Sequence, residues 1–355
     1  MLNTNIKKEL KLIQLLRCVA CLLVVMFHIS GNYSNTYLKS FLGNSFKFGG
    51  AGVDIFFVLS GFIITYSNRN YLLKKSNAIQ FLKKRIIRIF PIYWVILSFF
   101  LLIQLALPSF YQTHYIISIP NLLKTYLLLP NHNMINGVSW TLTNELFFYL
   151  IFTIAFIIPN KKYLLSLLFI YLAFLTISPM FNFVNSNTDY NKNLHLFPMN
   201  IEFLLGIVIV LLVDRFHKKY CLPFLFVGIC LFIVSALFTN SSHILFPSAY
   251  NRVVLFGLPS FLIILSLVKY ELTHDIIIPK LFLKLGDASY SIYLFHLPLV
   301  AAFFKITFKL HVTNTYTIFI LICGLLVAIC YLGIILFKKV ETPLIKWLNS
   351  VLIKS

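Results

Sequence analysis

Charge is what this 355-residue chain has least of. Asp, Glu, Lys and Arg together make up 11% of it, where a soluble globular chain carries about 25%. Acid is scarcest, at 10 Asp and Glu. An ordinary cytosolic enzyme is excluded on that ground. Disorder is excluded too, since it needs low hydrophobicity and dense charge. Metal-ligand patterns are also missing. Cys18 and Cys21 have CxxC spacing, but both fall in an apolar run and no second Cys/His pair has ligand spacing. They read as small packing hydrophobes. The sequence carries no internal repeat, low-complexity tract or long linker, and no appended soluble domain is expected. The missing repeat counts against an inverted-repeat transporter. What is present is apolar: 59% of the residues are hydrophobic and mean hydropathy is +0.88. A spanning helix uses about 20 apolar residues, so the chain reads as one all-α, polytopic membrane bundle.

Apolar stretches fall near 11–30, 50–67, 89–108, 139–158, 163–182, 197–213, 220–238, 252–268, 288–308 and 317–337. That makes about ten transmembrane helices. The first is not a cleaved signal peptide, because it contains Arg17 and His28 and no small-x-small site follows. Net charge is +20, which on a soluble chain would point to nucleic acid. With both termini placed in the cytoplasm, however, the inside segments hold 22 Lys and Arg and the outside segments 7, with Arg17 inside the first span. That alternation is the positive-inside pattern, and it removes nucleic acid as a partner. The longest outside loop, about 109–138, has room for an interfacial helix around 120–129.

Ionisable residues inside spans mark sites or pathways. Arg17 and His28 are eleven residues apart, about 20° from three whole turns, so they share a helix face roughly 16 Å apart along the axis. Depth sorts the others. Asp54, Glu145 and Glu202 fall in the outer half with His28, while Arg17, Arg85 and Arg88 fall in the inner half. Inner guanidinium groups suit an anionic substrate arriving from the cytoplasm. A histidine among carboxylates suits proton transfer. For each acid the alternative is a structural ion pair or a helix cap. His296 lies mid-span beside Pro298, as a site residue or as part of a kink. Ser60 lacks the strand–turn–helix setting of a nucleophile elbow. Gly49, Gly50, Gly52 and Gly61 read as close-approach positions between helices. A metal is not expected, because His28 has no Glu or His four residues away.

A series of motifs follows the Arg17-x10-His28 pair. Gly49 to Phe62 reads GGAGVDIFFVLSGF, Arg85 to Trp94 reads RIIRIFPIYW, and Trp140 to Tyr149 reads WTLTNELFFY. Next come Glu202 to Gly206 (EFLLG), Gly286 to His296 (GDASYSIYLFH) and Glu341-Thr342-Pro343. In this order the chain resembles the acyltransferase 3 family of integral-membrane O-acyltransferases, over roughly 10–345. The resemblance implies a single membrane domain over 1–355 in a bacterial plasma membrane. It implies transfer of an acyl group, usually acetyl, from cytoplasmic acyl-CoA to a hydroxyl of an extracytoplasmic glycan. O-antigen, capsule, exopolysaccharide, peptidoglycan or a lipid-linked oligosaccharide would be acceptors. In the family the positions matching Arg17 and His28 are needed for activity. Arg85 and Arg88 match the paired arginines, and Glu145 matches the acid after the Trp motif. Many members have a second acid where this chain has Leu146, and some carry a C-terminal hydrolase-like domain that is not expected here.

The resulting expectation is that Arg17, Arg85 and Arg88 hold acyl-CoA. His28 acts as general base or is itself acylated. Asp54, Glu145 or Glu202 would orient it, as an acid does in a triad. Glu202, Trp140, Tyr93 and His296 are candidates for acceptor contacts. The rival class is a transporter or flippase for a glycan or lipid-linked sugar, because intramembrane carboxylates also suit proton relays.

Overall fold

Hydrocarbon offers no water to a peptide group, so a spanning segment must satisfy its own backbone. The computed structural model meets that demand with helices throughout. It describes residues 10–106, 118–131, 134–178, 194, 197–241 and 248–353, and among them there is no strand. Ten main helices correspond one to one with the apolar stretches: α1 Lys11–Tyr37, α2 Gly52–Asn68, α3 Ser76–Ala106, α5 Ser139–Ile157, α6 Lys161–Ile177, α7 Asn200–Leu212, α8 Cys221–Ser241, α10 Leu258–Thr273, α12 Ser289–Lys309 and α13 Thr315–Leu336. Four shorter ones complete the set: α4 Ile119–Tyr126, α9 Ala249–Arg252, α11 Lys280–Asp287 and α14 Thr342–Leu352. Among the described residues, eight helical segments are long and apolar enough to cross a membrane, and α7, at 13 residues, is a shorter apolar helix. The protein is a multi-pass membrane protein. The end of the 163–182 stretch and positions 109–117 and 132–133 of the 109–138 loop lie outside the described residues.

Two boundaries differ from the hydropathy reading. Helix α3 begins at Ser76, thirteen residues before its apolar stretch, so Lys83, Lys84, Arg85 and Arg88 stand on helix rather than loop. Backbone hydrogen bonding continues where hydropathy stops, because long basic side chains can reach an interface while their stems stay on the helix. Helix α1 likewise runs on to Tyr37, where Leu38 turns left-handed at φ 54°. Its first turn is capped from afar. Both oxygens of Glu271 on α10 accept backbone N–H groups, from Lys11 at 2.5 Å and Leu12 at 2.9 Å. A carboxylate there satisfies orphan donors and complements the helix dipole. A short helix, α4, stands in the 109–138 loop and is held by Tyr93 Oη donating to Thr125 O at 2.7 Å and Trp94 Nε1 donating to Tyr126 O at 2.9 Å.

The core is centred on α2, whose most apolar stretch is 78% buried, whereas those of α8 and α13 are 22% buried. Helix α2 meets α7 at two glycines. A Cβ on Gly61 would lie 2.0 Å from Phe203 O, and one on Gly206 would lie 2.2 Å from Val58 O. Side chains at either place would push the backbones apart. Helices α1 and α12 run parallel along a polar seam. Arg17 reaches Ser289, His28 reaches His296, and Tyr37 reaches Thr307, in rising order on both helices. Pro298 lacks the N–H that would bond the carbonyl of Leu294. Asn136 Nδ2 takes that carbonyl instead, at 2.8 Å. Two π-helical segments, Val253–Gly257 and Phe337–Glu341, widen the bundle locally.

Candidate active site

A cavity of about 660 Å³ opens among α1, α2, α3, α5 and α12, within the size range of small-molecule sites. Its lining includes four arginines, Arg17, Arg69, Arg85 and Arg88, and a single carboxylate, Glu145. The exposed residues Arg69, Asn70 and Tyr71 stand at one end, and Phe56, Thr141 and Tyr293 at another part of the wall. Arg17 donates to Ser289 Oγ at 3.0 Å and to Gln14 Oε1 at 3.4 Å. Arg85 lies over the rings of Phe81 and Tyr149, at 5.4 and 5.6 Å, and its Nε is buried without a hydrogen-bond partner. Arg88 is exposed to the cavity. An excess of guanidinium, one donor of it unsatisfied, is a site for an anion that brings its own acceptors.

Glu145 accepts from Ser60 Oγ at 2.9 Å and from the hydroxyl of Tyr149. It therefore lines the cavity together with the arginines, whereas His28 does not. Glu341, in the second π-helical segment, accepts from Ser291 Oγ at 2.5 Å and is buried nearby.

His28 does not line this cavity. It sits across from α12, with Nδ1 at 3.1 Å from His296 Nε2 and 3.0 Å from Val24 O. The two imidazole centroids are 5.0 Å apart. His296 is fully buried, while His28 is half-buried. Tyr293 stands between the two regions. It lines the cavity, its ring lies 5.9 Å from that of His296, and its hydroxyl meets Thr141 Oγ1 at 2.9 Å. Phe56 packs edge-on against it at 6.1 Å.

A second polar cluster is closed. Asp54 accepts from Arg252 Nη2 at 2.5 Å and Nε at 3.4 Å, and Arg252 Nη2 also donates to Gly50 O at 3.1 Å. Glu202 lies beside both. A Cβ on Gly257 would come within 2.9 Å of its Oε1. Arg252, at the start of the 252–268 apolar stretch, is 9% exposed.

The structure thus gathers Arg17, Arg85, Arg88 and Glu145 around one cavity, and pairs His28 with His296. Asp54 and Glu202 lie with Arg252 instead. Trp140 packs against Phe57 and Phe197, and Tyr93 tethers α4. Of the carboxylates expected to steady His28, Asp54 pairs with Arg252 and Glu145 accepts from Ser60 and Tyr149, and the ring that meets His28 is another histidine. Arg69 was missed as a cavity residue because it falls in a loop by hydropathy. The His28–His296 pairing was missed because 268 residues separate its members. The one signal was that both sit in odd-numbered spans, which run parallel.

A polytopic bundle enclosing an arginine-rich cavity, with a histidine pair past its tyrosine wall, has the parts of a membrane-embedded group-transfer enzyme. The chain belongs to the acyltransferase domain (acyltransferase 3) family, whose model matches residues 10–335, and it is an acyltransferase. It is 26% identical over 323 residues to the exopolysaccharide production protein ExoZ of Rhizobium meliloti (strain 1021), covering 86% of this chain and 92% of that one. It is 35% identical over 121 residues to nodulation protein 10 of Rhizobium leguminosarum bv. viciae, which is 29% of this chain and 32% of that one. No solved structure matches.

Proposed function

We propose that the protein moves an acetyl group from cytoplasmic acetyl-CoA to a hydroxyl of a cell-surface polysaccharide, in a bacterial plasma membrane. The observation that carries this reading is the cavity itself: four arginines against one carboxylate, separated by Tyr293 from a half-buried histidine. CoA is a polyanion with a long, mostly apolar arm. Its phosphates suit Arg69, Arg85 and Arg88, whose guanidinium groups bind phosphate in a fork. Arg17, fixed by Ser289, stands farther along α1 toward the histidine. The arm follows the wall of Phe56, Phe57 and Leu142, which are apolar. The thioester then has to pass Tyr293 and Phe56 to meet the imidazole, so those rings set the length of acyl group that passes. The likeness to an exopolysaccharide production protein supports a polysaccharide acceptor.

His28 acts as general base. It takes the proton of the acceptor hydroxyl as the oxygen attacks the thioester carbonyl carbon. The carbon–sulfur bond breaks, the proton passes from the imidazole to the thiolate, and the products are the acetyl ester and free CoA. Proton transfer by a positioned side chain contributes roughly a hundred- to ten-thousandfold in rate.

Reconstituted protein, radiolabelled acetyl-CoA and the polysaccharide of the host envelope test this. The wild type should release free CoA and label the glycan. His28→Ala should abolish labelling while the protein remains folded. A transporter would consume no acetyl-CoA, and labelling retained by His28→Ala would reject the assignment.

A further inference from the structure

We infer that His296 is a positioning residue that fixes the tautomer of His28, leaving the Nε2 lone pair of His28 as the site that takes the acceptor's proton. The inference rests on the reading of His28 as the base. It follows from a chain of hydrogen bonds that starts at the backbone. His296 Nδ1 lies 2.7 Å from Tyr293 O and 3.2 Å from Ile292 O. Carbonyl oxygens only accept, so Nδ1 carries the hydrogen. A neutral imidazole protonated at Nδ1 has its lone pair at Nε2. That atom faces His28 Nδ1 at 3.1 Å. His28 Nδ1 also lies 3.0 Å from Val24 O, so both of its neighbours accept, and it too carries hydrogen. The one ring nitrogen left with a free pair is His28 Nε2.

A triad sets the same tautomer with a buried acid. Here Asp54 is paired with Arg252, Glu145 accepts from Ser60 and Tyr149, and Glu202 lies beside Asp54 and Arg252, while the ring atom facing His28 Nδ1 is His296 Nε2. A second imidazole does the work without placing another carboxylate in hydrocarbon, where a charge is costly. When His28 takes a proton at Nε2, its Nδ1–H bond to His296 becomes charge-assisted and strengthens. Helix α12 also links this device to the cavity. Its Ser289 holds Arg17 and its His296 holds His28, seven residues or about 10 Å apart at 1.5 Å per residue. One helix therefore registers the arginine and the base against each other.

The test uses full-length protein in lipid nanodiscs, with acetyl-CoA and the host polysaccharide. His296→Phe should lower kcat about a hundredfold, at the lower end of general-base effects, while KM for acetyl-CoA changes less than about twofold. His296→Gln should recover to within about tenfold of wild type, because an amide oxygen at that position accepts the Nδ1–H. Nitrogen NMR of histidine-labelled protein, assigned by comparison with His28→Ala, should show His28 protonated at Nδ1 in the wild type and a tautomer mixture in His296→Phe. A kcat for His296→Phe close to wild type, a Gln variant as inactive as the Phe variant, or an Nε2-protonated His28 would each overturn the inference. If His296→Phe does not fold, the wild-type tautomer and the Gln variant decide. Transfer retained by His28→Ala would fail the base assignment itself, whereas an inactive His28→Ala beside an active His296→Phe strikes only the role of His296.

Discussion

Around the cavity, four arginines meet one carboxylate; between α2, α7 and the π-helical segment Val253–Gly257, one arginine meets two. The two clusters lie in the same bundle, and both place charge where charge is expensive. The closed one settles Asp54 against Arg252 and packs Glu202 beside both, although the oxygens of Glu202 make no hydrogen bond among the described residues. Asp54 and Glu202 are fully buried, and Gly257 has no Cβ because Glu202 occupies the space. The open one does not settle. Arg88 is exposed to a volume, Arg85 keeps an unsatisfied buried donor, and the guanidinium groups outnumber their acceptors. Buried charge that is internally paired is a structural device; buried charge that faces room and lacks a partner is waiting for a ligand.

The largest expected effect belongs to the closed cluster. Arg252→Met leaves two buried carboxyl groups without their cation, and breaking a buried pair this way costs about 3–5 kcal/mol. Asp54→Asn should cost less, because Glu202 still faces Arg252. Thermal unfolding of the purified protein in detergent should rank Arg252→Met below Asp54→Asn and both below wild type. Equal stability for all three would break the comparison, since the closed cluster would then not be holding the helices.

In the open cluster the same kind of change should act on function and not on stability. Arg88→Ala removes an exposed guanidinium that makes no hydrogen bond among the described residues. It should raise KM for acetyl-CoA about tenfold, the size of one lost charge-assisted hydrogen bond. The unfolding temperature should stay at the wild-type value and kcat should change little. A drop in stability with unchanged KM would assign Arg88 to structure and dissolve the distinction between the clusters.

This distinction was only half visible in the sequence. All ten main helices could be placed from apolar runs, because hydrocarbon demands long apolar helices and little else produces them. Arg17, Arg85 and Arg88 could be grouped, because the positive-inside pattern orders charge along the membrane normal. Lateral neighbours could not be read. Asp54 and Arg252 are 198 residues apart, and nothing local says that they pair. Glu145 reads as a companion of His28 from its place in the first half of α5, yet its side chain meets Ser60 and Tyr149 and lines the cavity with the arginines. His296 stood out as a polar residue mid-span, but its contact with His28 required knowing that α1 and α12 are neighbours. Sequence reported depth approximately and adjacency hardly at all.

The smallest expected effect lies within the open cluster and sharpens the contrast further. Glu145 is the sole carboxylate among the described residues that line the cavity, and two hydroxyls, from Ser60 and Tyr149, donate to it. Ser60→Ala removes one of these bonds and leaves the other. A typical hydrogen bond contributes about 1 kcal/mol net, and here no charge is left without a partner. Stability should therefore fall slightly, and KM for acetyl-CoA should shift by no more than about twofold, because Glu145 retains the Tyr149 bond and nearby arginine charge. The measurement is the same assay used for Arg88→Ala. A tenfold loss for Ser60→Ala would mean that the serine hydroxyl meets the donor directly. The boundary between what holds the cavity in shape and what holds its guest would then have to be redrawn through α2.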